Sequence, residues 1–252
     1  MSNLETRELL DRLRDEGPRL AAAAERAGLD AAVPTCSDWR VRDLLGHAGG
    51  VHRWAAAHVA GPRPEPMPDD EVAALFVAPA DDKLVAWYRD GHADLVATLA
   101  AADPATRCWA FLPAPSPLAF WTRRQAHETA IHRADAESAT GTIAGVPARF
   151  AADGIDELLF GFFSRPRGRL VADPPRTLAI RATDLDAAWT VHIEPQGRRV
   201  VAGPEPADLT VAGPASHLYH LLWNRRDTTG LDVDGDPAVL DLWRAEARVR
   251  WS

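Results

Sequence analysis

Near residue 145 the pattern of this 252-residue chain changes, and no other feature limits its possible folds so sharply. Up to that point apolar residues recur at the three- and four-residue spacing of helices. Leu4, Leu9, Leu10, Leu13 and Leu20 share one helical phase over residues 3–28, where Gly17 and Pro18 are expected to kink or divide the helix. Further helices are expected over about 40–59, about 80–102 and about 117–139, the third with Leu84, Trp87, Tyr88, Leu95 and Leu99 as core candidates. Two Pro-rich stretches, 61–68 and 112–117, break the helical pattern between them. Residues 147–164 then read as an amphipathic linking helix, after which the period shortens. Strands are expected at 177–182, 188–193, 199–202 and 208–212, bounded by Pro, Gly and Asp turns, with closing helices at about 214–224 and 237–250. The expected fold is therefore a four-helix bundle over residues 1–145, followed by a small α+β domain with an antiparallel sheet over 146–252.

Composition narrows the functional classes. A formal net charge of -8 argues against nucleic acid as the main partner, because binding phosphates needs clustered Lys and Arg. No apolar run of membrane-spanning length and no signal-peptide pattern is present, so the chain reads as a cytosolic protein. Cys36 and Cys108 are isolated, which makes a disulfide framework improbable. Lys83 stands as a lone lysine among many arginines, and with abundant Ala and Pro this resembles the codon bias of a high-GC bacterium.

Three residues then carry chemistry. Glu128 and His132 lie four apart in the fourth predicted helix and so share one face. His47 adjoins the apolar stripe of Val41, Leu44, Leu45 and Ala48 on another helix, with Gly46, Gly49 and Gly50 around it to admit a close neighbour. Imidazole and carboxylate suit zinc or a similar divalent ion, and three protein ligands leave one position open. The alternatives are an ordinary surface pair for Glu128 and His132, and a hydrogen-bonded core histidine for His47. Cys36 is a possible fourth ligand or nucleophile. Arg124, four residues before Glu128, is placed to clamp a carboxylate, and the alternative for it, as for Arg123 and Arg133, is a solvated helix flank. His58 lies roughly 16 Å along the helix from His47, too far to share an ion, and His52 and His127 point elsewhere, as surface or supporting groups.

Several of these segments resemble one known family. The run Cys36-Ser37-Asp38-Trp39, followed by Val41-Arg42-Asp43-Leu44-Leu45-Gly46-His47, opens the resemblance. Phe120-Trp121-Thr122-Arg123-Arg124 through Glu128, His132 and Asp135, then Ala151 to Leu159, and finally Val233-Asp234-Gly235-Asp236 with Trp243, extend it over nearly the whole chain. Together they resemble the mycothiol-dependent maleylpyruvate isomerases, which join a DinB-like metal-binding bundle to a domain similar to sterol carrier proteins. The resemblance implies that the metal motif falls on His47, Glu128 and His132. Arg40 departs from the usual Ser or Thr cap. Since a guanidinium cannot accept backbone N–H groups, Ser37, Asp38 or Asp43 is expected to cap that helix.

The resemblance also implies a cofactor, mycothiol, the small thiol of actinobacteria, and a small electrophilic or acidic substrate. A thiol titrates near ~8.5 and reacts as the thiolate; lowering that value by two units favours the thiolate by about 2.7 kcal/mol. Adding a thiolate to an activated double bond, rotating about the resulting single bond and expelling the thiol is a cis–trans isomerisation. If the adduct is kept, the reaction is an S-transfer. A non-catalytic metal-binding or regulatory protein of the same fold is the third alternative.

Overall fold

The computed structural model describes residues 4–61, 63–165 and 168–249, so the expected helix limits at residues 3 and 250, and Pro62, lie outside it. Two compact units emerge, one spanning Glu5–Ala144 and the other beginning at Gly145.

The first unit is built from α1 (Thr6–Ala27), α2 (Val41–Ala60), a short α3 (Asp69–Leu75), α4 (Asp81–Ala101) and α5 (Pro117–Ser138). The α1 helix packs along α5 and α2 along α4, while α1–α4 and α2–α5 contacts close the bundle. Leu13, Leu20, Leu44, Leu45 and Leu95 are fully buried in its interior. The sequence pattern did not reveal α3, whose seven residues include none that is buried.

Pro18 neither ends nor divides α1, which runs unbroken past it. Proline removes one intrahelical bond and crowds the carbonyl a turn before. Here α4 supplies hydrogen bonds to carbonyls of that stretch: His92 Nε2 lies 2.8 Å from the Leu13 carbonyl, and the Tyr88 hydroxyl donates to that of Gly17 at 3.3 Å. A Cβ on Gly17 would sit 2.2 Å from His92 Nε2, so the glycine is what lets α4 come this near.

Ser116 caps α5, its hydroxyl accepting the Ala119 N–H at 3.1 Å, with Pro117 at the first helical position. At α2 the Arg40 cap position is rescued by Asp43, whose carboxylate accepts the Arg40 N–H at 2.8 Å. That is half a capping box, supplied by one of the residues expected to do so.

The second unit opens with α6 (Ala148–Asp156), which widens into a π-helical segment, Glu157–Phe162. Then come β1 (Arg176–Ala182), β2 (Ala188–Glu194), β3 (Gly197–Ala202), β4 (Leu209–Gly213), α7 (Ala215–Leu222), β5 (Asp232–Gly235) and α8 (Ala238–Glu246). The sheet order is β3-β2-β1-β4-β5. It is mostly antiparallel, as expected, with one departure: β1 and β4 run parallel, Ile180 facing Val211. Antiparallel neighbours need only a tight turn, whereas β4 returns beside β1 after the β2–β3 hairpin has been completed. The Asp208 carboxylate pins that return by accepting the Thr177 N–H at 2.7 Å and its hydroxyl at 2.9 Å. All four residues of β5 are exposed, so it lacks the alternation of buried and exposed positions by which a strand is legible in sequence.

Candidate metal centre

His47 on α2 and Glu128 and His132 on α5 come together inside the first unit, and each offers one ligand-type atom within 4.8 Å of the others. Two of the spacings are hydrogen-bond lengths. Glu128 Oε1 lies 3.0 Å from His132 Nε2 and 3.4 Å from His47 Nε2. The outer limit is wider than the roughly 4 Å expected of ligands around one ion; bonds of ~2.0–2.2 Å to a shared zinc would draw such atoms to about 3.4 Å apart.

Close packing on α2 makes the meeting possible. A Cβ on Gly49 would lie 2.3 Å from the Trp87 ring of α4, and one on Gly50 would lie 2.4 Å from the Phe76 ring that follows α3. The small residues flanking His47 thus admit two aromatic rings. Phe76 stands 6.2 Å from the His47 ring and Trp39 4.9 Å from it, with Trp39 also 5.9 Å from His132. His47 keeps 18 % of its side chain exposed, while Glu128 and His132 are nearly closed off, so the group is accessible from the His47 side.

Each of the two α5 residues is held from behind. Asp135 Oδ2 lies 2.9 Å from His132 Nδ1, and its other oxygen accepts from the Thr35 hydroxyl at 2.5 Å. Arg124 donates to Glu128 Oε2 at 3.0 Å. Burial pushes the Glu128 carboxyl up, but His132, His47 and Arg124 outweigh it and hold the group well below the usual carboxylate range. For His132 burial works downward, and the carboxylates of Glu128 and Asp135 outweigh it, raising the imidazole to about 9.

The donor set fits a divalent cation. With Nδ1–H of His132 directed at Asp135, its Nε2 presents a lone pair toward an oxygen of Glu128 that is itself a lone-pair bearer. Such an arrangement needs a positive centre between the two atoms, a proton or a metal. A carboxylate behind a histidine is also the usual way a ligating imidazole is fixed in tautomer and direction.

Other residues from the sequence reading sit differently. Cys36 is half-buried and Cys108 buried, and neither joins the ligand group among the described residues. Arg124 is only 1 % exposed, so the group expected to clamp substrate lies beneath Glu128. Arg133 is not a solvated flank: it is fully buried, donating through Nε to Glu16 of α1 and through Nη1 to Glu137, each at 2.5 Å. His52 and His127 are likewise buried rather than at the surface, His52 Nε2 lying 2.9 Å from the Thr129 hydroxyl. Two further residues were not singled out from sequence. Thr35 lies one hundred residues from the Asp135 it holds, which no local pattern reveals. Gln125 shares the face of Glu128 and His132 by helical spacing, and its carboxamide is buried with no hydrogen-bond partner among the described residues.

Comparison with known families assigns both units. Residues 10–137 match the mycothiol maleylpyruvate isomerase N-terminal domain, and residues 149–242 match the C-terminal domain of the same family. The chain belongs to this family. Among solved structures, a mycothiol-dependent maleylpyruvate isomerase is similar with a TM-score of 0.61, and a histidine-to-alanine variant of such an isomerase with 0.63. In each case identity is 14 %, and the likeness covers 92 % of this chain and 93 % of the other, so it speaks to the fold. No curated protein matches the sequence. No helix among the described residues is long and apolar enough to cross a membrane.

Proposed function

We propose that this protein is a mycothiol-dependent metalloenzyme that isomerises a maleylpyruvate-like substrate, with His47, Glu128 and His132 holding the metal. The observation that carries this reading is the convergence of two imidazole nitrogens on one oxygen of a carboxylate, at a point reachable past His47. A divalent ion, zinc by the character of the donors, supplies when bound a positive charge that favours the thiolate form of a thiol.

The chain's own residues do the rest. Asp135, itself held by Thr35, fixes the His132 ring so that Nε2 faces Glu128 and would be available to a bound ion. Arg124 is assigned as a positioning residue: from its buried place it fixes the free oxygen of Glu128 and keeps the carboxylate ionised. Trp39 and Phe76 wall the approach with apolar rings, which keeps water from the thiolate and offers a face to a planar conjugated substrate. Partners are a small thiol and a small electrophilic acid, in a cytosol where Cys36 and Cys108 stay reduced.

Incubating metal-loaded protein with mycothiol and maleylpyruvate tests this directly. The expected outcome is the trans isomer with the thiol regenerated. A stable thioether in its place would reassign the protein as a mycothiol S-transferase. Absence of any product from this or other activated alkenes would favour a non-catalytic role.

A further inference from the structure

The second unit holds a cleft of its own, about 130 Å³, whose lining is unlike the rest of this acidic chain. Arg165, Arg169, Arg198 and Arg248 line it, with Glu246 the one acid among the described lining residues, in a protein of net charge -8. Phe162 and Phe163 form its apolar side. The Arg165 guanidinium carbon stands 5.8 Å from the Phe162 ring centroid and that of Arg198 5.5 Å from Phe163. Arg169 is engaged with Glu246 at 2.9 Å.

Arg198 is the built part of the cleft. It is only partly exposed, donates through Nη2 to the Arg165 carbonyl at 3.0 Å, and has its Nε buried with no hydrogen-bond partner among the described residues. Burial lowers its affinity for a proton, the mark of a cation lacking a counter-charge. Gly168 makes room for it: a Cβ there would lie 2.3 Å from Nη1 and 2.5 Å from Nη2. A buried guanidinium N–H without an acceptor is costly, and an anion that accepts from Arg198 and from the guanidinium groups beside it supplies the missing partner.

We infer that this cleft binds a dianionic oxyanion group, either a phosphate or the two carboxylates of a small diacid. The volume suits such a group and little more. This site lies wholly within the second unit and does not depend on the metal reading.

Calorimetric titration of the full chain at low ionic strength, with inorganic phosphate in one arm and succinate in the other, tests it. Saturable binding of at least one anion is expected, and which one binds assigns the source of the charge. Arg198→Ala should weaken it about tenfold or more, the usual loss for a charge-assisted hydrogen bond. Gly168→Ala should do likewise while leaving every charge in place, because its methyl group displaces the guanidinium. Arg199→Ala, an exposed neighbour on the same strand, should leave binding unchanged and controls for diffuse attraction. The proposal is overturned if neither anion binds below roughly 10 mM, a free energy of only about 3 kcal/mol. It is equally overturned if Arg199→Ala weakens binding as much as Arg198→Ala, or if neither Arg198→Ala nor Gly168→Ala has any effect, since the anion then sits elsewhere.

Discussion

His132 is gripped at both ring nitrogens, by Asp135 behind and Glu128 in front. Removing the ring in His132→Ala should abolish stoichiometric metal binding and mycothiol-dependent turnover, measured by metal analysis and activity assay of the purified variant. Circular dichroism of its strand signal should remain, because the two units have separate cores. Asp135→Ala leaves all three ligands but frees the ring to turn, and should cost about 10- to 100-fold in metal affinity by competition with a chelator. An unchanged affinity would mean that Asp135 serves packing alone. At this scale the ligand-type residues were legible because helical spacing and ligand chemistry coincide at Glu128 and His132. Asp135 lies in the segment that resembles the family, yet no local pattern shows its role, since Thr35 reaches it across one hundred residues. Arg133 misled for a physical reason: a charge on a helix is normally solvated, and only the arrival of Glu16 from α1 permits it to be buried. Leaving Glu16 and Glu137 unpaired in Arg133→Ala should cost about 3–5 kcal/mol in chemical denaturation, the range for one broken partner of a buried ion pair.

The α5 helix shows why elements were easier to find than their surroundings. Its limits follow from Ser116, Pro117 and the turn signals near Gly141, all local features. Yet it has no apolar stripe, and Arg124, Gln125, His127, Thr129 and Arg133 are buried along with its hydrophobic residues. Periodicity cannot announce such a helix as interior, because Arg133, Thr129 and Asp135 find partners in Glu16, His52 and Thr35, all distant in sequence. The α2 helix was more legible, since its glycines pointed to a close neighbour and two aromatic rings fill those places. Gly50→Ala should therefore destabilise the bundle by about 1–3 kcal/mol through overpacking against Phe76. The ring should also shift at the approach to His47, so the Michaelis constant for substrate should change more than metal affinity does. Equal changes in both would place Phe76 among the supports of the ligands instead of the walls of the approach.

For the whole molecule, buried histidines set opposing limits on pH. Burial lowers His52, His58 and His92, so they fold neutral, and the unfolded chain takes up protons that the native one refuses as pH falls below about 6.5. Their contribution is lost on the acid side. Burial opposes the protonation of His132, but its two carboxylate neighbours raise it to about 9; its contribution is complete below about 6.5 and is lost as pH rises toward 9. Metal-free protein should thus melt at its highest temperature near pH ~6.5 and decline on both sides. Metal-loaded protein should lose the alkaline limb and keep only the acid one, because the cation takes the proton's place at His132; scanning calorimetry across pH ~5 to ~9 reads both. The change of period near residue 145 falls where the second compact unit begins, whereas nothing in the sequence announces the parallel β1–β4 pair, since strand partners are chosen by packing and not by the strands' own sequence. An ion held by His47, Glu128 and His132 with one position open should take up a thiol. Titrating mycothiol into cobalt-substituted protein tests it most directly. The predicted result is a saturable thiolate-to-cobalt charge-transfer band that is absent from His132→Ala; a cobalt spectrum indifferent to mycothiol would contradict it.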